Sequence, residues 1–371
     1  VRPAYKIAVV HDWLVRPGGA ERVLERLLAI FSGADLFTLF RIPGAVPRSI
    51  ASRVKGVSFI QGLPGLERNY GRYLPLFPKA VESLLLAGYD LVISSSYCVA
   101  KGAVAGRSAR HLCYCHTPMR YVWHQQEHYE RSLGRAGRLV FRAVANRLRA
   151  WDVGTASRPL RYIANSGGVS RRIREYYHRD AAVVHPPIDT DFFTPPDQDR
   201  TDDYYLAVGA LVPYRNLYTA VAAFSRMRRR LLVAGDGPEM GRLRGKAGPT
   251  VKFLGWQGRD SLLRLYRGCR ALVSPGEEDF GMAAVEAQAC GKPVVALGRG
   301  GALETVADGV SGALYAEDSV DALIAAVETL EARKFDCRPI RTKAERFSAN
   351  AFDLKIRSEI GSMMGGREDA A

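Results

Sequence analysis

No apolar run in this 371-residue chain approaches the ~18 residues that a membrane-spanning helix needs. The first residues also lack the basic, apolar and small-residue order of a signal peptide, so any membrane contact is expected to be peripheral. The six cysteines, Cys98, Cys113, Cys115, Cys269, Cys290 and Cys337, show no framework spacing and lie in or beside apolar segments. That argues against a disulfide scaffold and predicts reduced thiols in a cytoplasmic protein. A disorder signature is missing too, since hydrophobic residues make up 47% and charged residues 25% of the chain. Neither half opens on a strand followed by GxGxxG with a correctly spaced acid, which counts against a dinucleotide-dependent dehydrogenase. Acidic residues are too few to balance the basic ones, and the net charge is +15. Nucleic acid, anionic lipid and a polyanionic substrate are all compatible with that excess.

The length predicts two domains, because a single core rarely grows past ~250 to 300 residues. Short apolar runs at Lys6 to Val10, Leu36 to Leu39, Val57 to Ile60, Leu91 to Ser94, Leu112 to Cys115 and Tyr162 to Ala164 alternate with helical or irregular stretches. The same grammar restarts at Tyr204 to Val208, Leu231 to Ala234, Val251 to Leu254, Ala271 to Ser274 and Pro293 to Leu297. The prediction is an α/β chain of two doubly wound, Rossmann-like domains. We place them at 1–195 and 196–343, with the polar DQDRTDD after Pro195 as linker and a helical pattern over 344–364 completing the first domain.

In such sheets ligands gather at the carboxyl ends of the strands. Gly18 and Gly19 fall in the loop after the first strand, where they mark either a plain turn or a close approach to a ligand. His116 follows a strand in CYCHTPMRYVW, well placed to meet a substrate, with Arg120 and Tyr121 just beyond. Cys113, Cys115 and His116 share a strand end but supply too few ligands for a metal. The pair Asp189 and Asp191 sits in a proline-flanked connector and reads as structural rather than metal-binding. Arg131 to Trp151 has the pattern of a basic amphipathic helix: Leu139, Val140, Ala143, Val144 and Leu148 form a stripe, with Arg135, Arg138, Arg142, Arg147 and Arg149 around it. Such a helix either docks on a membrane surface or packs its stripe on the domain.

The strongest chemical signal is PGEEDFGMAAVEAQACGKP, from Pro275 to Pro293. Glu278 lies in the loop ahead of Phe280 and Gly281, and Glu286 falls inside the helix that Gly281 opens. The first N–H groups of that helix, around Gly281, Met282 and Ala283, have no intrahelical partners and favour an anion. Glu286 is suited to accept hydrogen bonds from ribose hydroxyls and Glu278 from a sugar, while Arg215, followed by Asn216, is suited to a diphosphate. Carboxylates for hydroxyls beside cations for phosphates suit a nucleotide-sugar in a cleft between two domains. A nucleic-acid-binding protein would use the charge but leave the two glutamates unexplained.

These residues, together with HDWLVRPGGAERVLE, LVISSSYCVAKG, GDGPE and GRGGALETV, resemble the retaining family 4 glycosyltransferases of the GT-B fold over nearly the whole chain, and within them the bacterial O-antigen and exopolysaccharide mannosyltransferases. The resemblance implies a nucleotide-diphosphate sugar donor, GDP-mannose first and a UDP-sugar as alternative, and an acceptor on polyprenyl diphosphate. It also implies retention of the α-configuration and no cofactor or metal. By position it makes Glu278 a contact to the donor sugar, Glu286 the ribose ligand and His116 a neighbour of the reacting sugar, with Gly18 and Gly19 as the glycine loop. Where many members carry an arginine for the diphosphate this chain has Ala210, so Arg215 bears that charge. We expect front-face substitution on a protein peripherally bound to the inner, anionic face of the cell membrane, with no nucleic-acid partner.

Overall fold

The computed structural model describes residues 5–131, 133–197 and 201–365. They form two compact units, one running to His185 and resuming at Phe352, the other from Pro186 to Ala351.

The first unit is built on a seven-stranded parallel sheet: β1 (Ile7–His11), β2 (Asp35–Thr38), β3 (Val54–Val57), β4 (Leu91–Ser96), β5 (Arg110–Cys115), β6 (Arg161–Ala164) and β7 (Ala181–Val183), in the order β3-β2-β1-β4-β5-β6-β7. Every residue of β4 is buried, as expected for a central parallel strand covered on both faces. On one face the helix Gly19–Ile30 and the last helix, Ala349–Gly365, pack Leu24, Leu27, Phe352 and Ile356 against Val9, Ile93 and Tyr114. Trp13, Phe40 and Phe77 lead the core of the other face.

The second unit carries six parallel strands: β8 (Tyr205–Val208), β9 (Leu231–Ala234), β10 (Val251–Gly255), β11 (Leu272–Ser274), β12 (Val294–Leu297) and β13 (Gly312–Tyr315), in the order β10-β9-β8-β11-β12-β13. In each sheet the chain reverses its direction of growth beside the first strand, between β1 and β4 and between β8 and β11. These switch points leave crevices at the strands' carboxyl ends.

Several expectations shift. The strand expected at Val57 to Ile60 lies three residues earlier, because the Ser58 hydroxyl accepts from the Ile60 amide at 3.2 Å and starts a 3₁₀ turn over Phe59–Gly62. The edge strands β7 and β13, three and four residues long, were not among the expected runs. The C-terminal helical pattern is two helices, Cys337–Glu345 and Ala349–Gly365, parted where the Ile188 amide donates to the Phe347 carbonyl at 2.8 Å and the Ile188 carbonyl accepts from the Ala349 amide at 3.1 Å. Residues 186–195, before the expected boundary near 195, pack with the second unit: Arg341 donates to the carbonyls of Thr190 and Phe193, both at 3.2 Å.

The basic helix runs Arg135–Gly154, but its apolar residues do not form one stripe. Val144, Ala145, Leu148 and Trp151 turn inward, whereas Ala143 faces outward with Leu139 and Val140, which are 73% and 64% exposed. Among the described residues no helix is long and apolar enough to cross a membrane.

Candidate active site

In the first unit His116 meets His11 and Ser95 at the carboxyl ends of β1, β4 and β5. His11 and Ser95 are register partners on adjacent strands, and Ser95 pairs in turn with Tyr114. The period of two then brings His116 to the same face as Tyr114. The side chains connect: Ser95 Oγ lies 3.0 Å from His11 Nδ1 and 2.8 Å from His116 Nε2. Rings of Tyr114 and Tyr97 stand edge-on to the His116 ring, at 5.1 and 6.2 Å between centroids. Next to His11, the Asp12 carboxylate accepts the amide N–H groups of Tyr97, Cys98, Val99 and Ala100 at 2.6 to 3.0 Å, which ties the loop after β4 to the end of β1. Burial pushes the Asp12 carboxyl above its ordinary range although those amides pull it down.

Gly18 precedes the helix Gly19–Ile30, and a Cβ on it would lie 2.8 Å from Glu21 Oε2. The glycine thus makes room for the first-turn carboxylate of its own helix. Glu21 in turn brings Oε1 to 3.5 Å from His11 Nε2. Tyr121 stacks edge-on with Tyr129 at 5.0 Å between centroids. Arg120 beside it is half-buried.

In the second unit Arg215 and Glu278 come together. Nη1 lies 3.2 Å from Oε1 and Nη2 3.0 Å from Oε2, a two-point ion pair. Glycines bring the loops this close. A Cβ on Gly209 would sit 1.9 Å from Arg215 Nη1, and one on Gly301 would sit 2.4 Å from the Phe280 Cα. The Gly301 amide donates to the Glu278 carbonyl at 2.8 Å and holds the acidic loop. Gly281 takes φ +88° ahead of the helix Met282–Ala289, a left-handed turn that glycine adopts without strain. Glu286, 2% exposed, accepts from the Tyr266 hydroxyl at 2.8 Å.

Two expected contacts change character. The Phe280 ring is 3% exposed and packs on Phe347, so only its backbone can reach a ligand. The Asn216 side chain is held by Asp318. Asp189 accepts from the Phe192 amide at 3.1 Å and pairs with Arg259 at 2.5 Å, which accounts for that carboxylate structurally. Sequence reading passed over His11, Ser95, Glu21, Tyr266, Gly209 and Gly301. The signal for the first and third was present in HDW at a strand end and in GGAE opening a helix.

Comparison with known proteins gives these two sites a context. Residues 17–192 match the model of Glycosyltransferase Family 4, and residues 188–353 match that of Glycosyl transferases group 1. The D-inositol 3-phosphate glycosyltransferase of Mycolicibacterium smegmatis is 36% identical over 178 residues, 42% of this chain and 41% of that protein. Its counterpart in Mycobacterium sp. (strain JLS) is 38% identical over 157 residues, 36% and 35% of the two chains. The matched region spans about two fifths of these curated relatives' length. Among solved structures, Anabaena HepE in complex with UDP and glucose has a TM-score of 0.73 at 19% identity, over 96% of this chain and 100% of that one. Sucrose-phosphate synthase from Thermosynechococcus elongatus has a TM-score of 0.74 at 18% identity, over 97% and 100%. With its two halves matched in turn across 17–353 and its two-sheet architecture shared along nearly all its length, the chain belongs to glycosyltransferase family 4 and has the GT-B fold.

Proposed function

We propose that this glycosyltransferase moves mannose, with retention of the α-configuration, from GDP-mannose to a saccharide carried on polyprenyl diphosphate in the synthesis of a bacterial surface polysaccharide. The observation that carries a nucleotide-sugar donor is the second unit's cluster: Arg215 paired with Glu278 beside the Gly281 helix start, with Glu286 buried along that helix. A donor diphosphate competes for the Arg215 guanidinium, and Glu278, released from it, accepts hydroxyls of the sugar. Glu286 accepts from the ribose. In the first unit His116 serves the transfer, and Arg120 and Tyr121 receive the acceptor.

The bond from the anomeric carbon to the diphosphate oxygen breaks as that from the acceptor oxygen forms on the same face. The acceptor's proton passes to the departing phosphate oxygen. Arg215 and the helix N-terminus balance the developing charge, so no metal is required on this reading; turnover that survives EDTA supports it, and turnover abolished by EDTA and restored by Mg²⁺ or Mn²⁺ ends it. The choice of mannose rests on the likeness of HDWLVRPGGAERVLE and CYCHTPMRYVW to polysaccharide mannosyltransferases.

A UDP-sugar is the second reading, favoured by the UDP and UDP-glucose in the HepE complexes. Thermal unfolding with GDP, GDP-mannose, UDP and UDP-glucose separates the two. Stabilisation by the guanosine ligands alone supports the mannose donor, and by the uridine ligands alone the alternative. No stabilisation by any of them removes the donor assignment.

A further inference from the structure

We propose that Glu21, His11 and Ser95 form a positioning chain that holds the His116 ring in one tautomer, with the proton on Nε2 and Nδ1 as the acceptor atom. The inference rests on the reading that His116 serves the transfer. It assigns Glu21, His11 and Ser95 a role exerted through the His116 ring.

The polarity of the chain follows from its far end. Glu21 Oε1 stands 3.5 Å from His11 Nε2, a nitrogen with no hydrogen-bond partner among the described residues on a side chain that is fully buried. A carboxylate only accepts, so the favourable arrangement turns an N–H toward it from His11 Nε2. His11 Nδ1 is then the bare nitrogen and accepts from the Ser95 hydroxyl at 3.0 Å. Ser95 has a single proton. Having given it to His11, its oxygen must accept at 2.8 Å, and the atom facing it, His116 Nε2, must carry the hydrogen. Reversing the chain would aim a bare lone pair of His11 at the Glu21 carboxylate or require a second proton on His11.

Asp12 spends its oxygens on four backbone amides, and the Tyr97 and Tyr114 rings meet the imidazoles edge-on. Gly18 belongs to the same device, since a side chain there would meet the Glu21 carboxylate at 2.8 Å. A fixed tautomer matters because an imidazole can accept from a substrate hydroxyl only through its unprotonated nitrogen.

The test is ring-¹⁵N histidine NMR of the full chain, assigned with His116→Ala and His11→Gln, alongside turnover measured as nucleoside diphosphate release from GDP-mannose and from UDP-glucose. In the wild type His116 Nε2 should resonate as a protonated nitrogen and Nδ1 as a bare one. Ser95→Ala should mix the two His116 tautomers and lower kcat on the order of 10- to 100-fold with KM little changed. Ser95→Thr, which keeps a hydroxyl, should restore both. Glu21→Ala breaks the same chain from its far end, and should mix the tautomers even if Ser95→Ala fails to fold. The proposal is overturned if wild-type His116 carries its proton on Nδ1, if His11 is doubly protonated with Ser95 donating to His116, or if Ser95→Ala leaves the His116 signals unchanged. Should His116→Ala keep full turnover while the wild-type ring signals are as expected, the chain stands and the place of His116 in the reaction falls.

Discussion

Arg215 and Glu278 are each other's partner: two nitrogens of one meet two oxygens of the other at 3.2 and 3.0 Å. The pair is three-quarters or more buried, and it forms because Gly209 leaves space for the guanidinium. Arg215→Lys keeps the charge and loses the two-point geometry. We expect donor affinity to fall about 10-fold or more in nucleotide titrations, with the circular dichroism spectrum unchanged. Glu278→Ala should mostly lower kcat. Wild-type kcat and KM in both purified variants would remove the pair from the site.

Glu286 and Tyr266 make a second, deeper pair at 2.8 Å. On the proposed reading, in which Glu286 accepts from the donor ribose, Glu286→Ala is expected to raise the donor KM more than it lowers kcat. Tyr266→Phe leaves a buried carboxylate short of one donor, which costs about 1 to 3 kcal/mol. That loss should appear as a lower Tm in scanning calorimetry. An unchanged Tm would mean that another group replaces the hydroxyl.

His111 supplies a pH dependence. Its ring is buried, with Nε2 2.9 Å from Ser94 Oγ, and burial lowers its pKa from 6.5 to about 3. Between those values the unfolded chain binds a proton that the folded chain does not, so stability is lost as pH falls through this window. The slope contributed by this one group is about 1.4 kcal/mol per pH unit. Urea unfolding of His111→Gln at pH 7 and pH 4.5 should show a smaller acid loss than the wild type; equal losses would place the acid sensitivity elsewhere.

Leu139 and Val140 stand exposed on a helix that also presents Arg135 and Arg147 to solvent. If this face meets anionic lipid, replacing both apolar residues with Asp should reduce sedimentation with phosphatidylglycerol vesicles by roughly 10-fold or more, since each buried aliphatic side chain contributes about 1.5 to 3 kcal/mol. Wild-type protein should bind neutral vesicles less well. Equal binding of variant and wild type to anionic vesicles would assign the helix no part in docking.

Much of this arrangement was legible in the residues. Leu231 to Ala234 and Leu217 to Met227 are where their apolar patterns put them. A central strand of a parallel sheet is covered on both faces, which favours an apolar run, and that mark is local. The Val57 strand and the Leu139 stripe were misplaced for the opposite reason. A serine cap moved the first, and the orientation of a helix on its sheet, which its own periodicity does not specify, decided the second.

By itself the sequence determined the two-sheet architecture and marked His116, Arg215, Glu278 and Glu286, because strand length, period and turn glycines are written in neighbouring residues; it left His11, Ser95 and Glu21 unmarked. Only the tertiary structure decided who pairs with whom. The partnership of Arg215 with Glu278, separated by 63 positions, and that of His11 with Ser95, separated by 84, depend on which strands lie side by side and in what register. Hydrogen bonds reach about 3 Å, and only the folded backbone brings such distant positions within that reach.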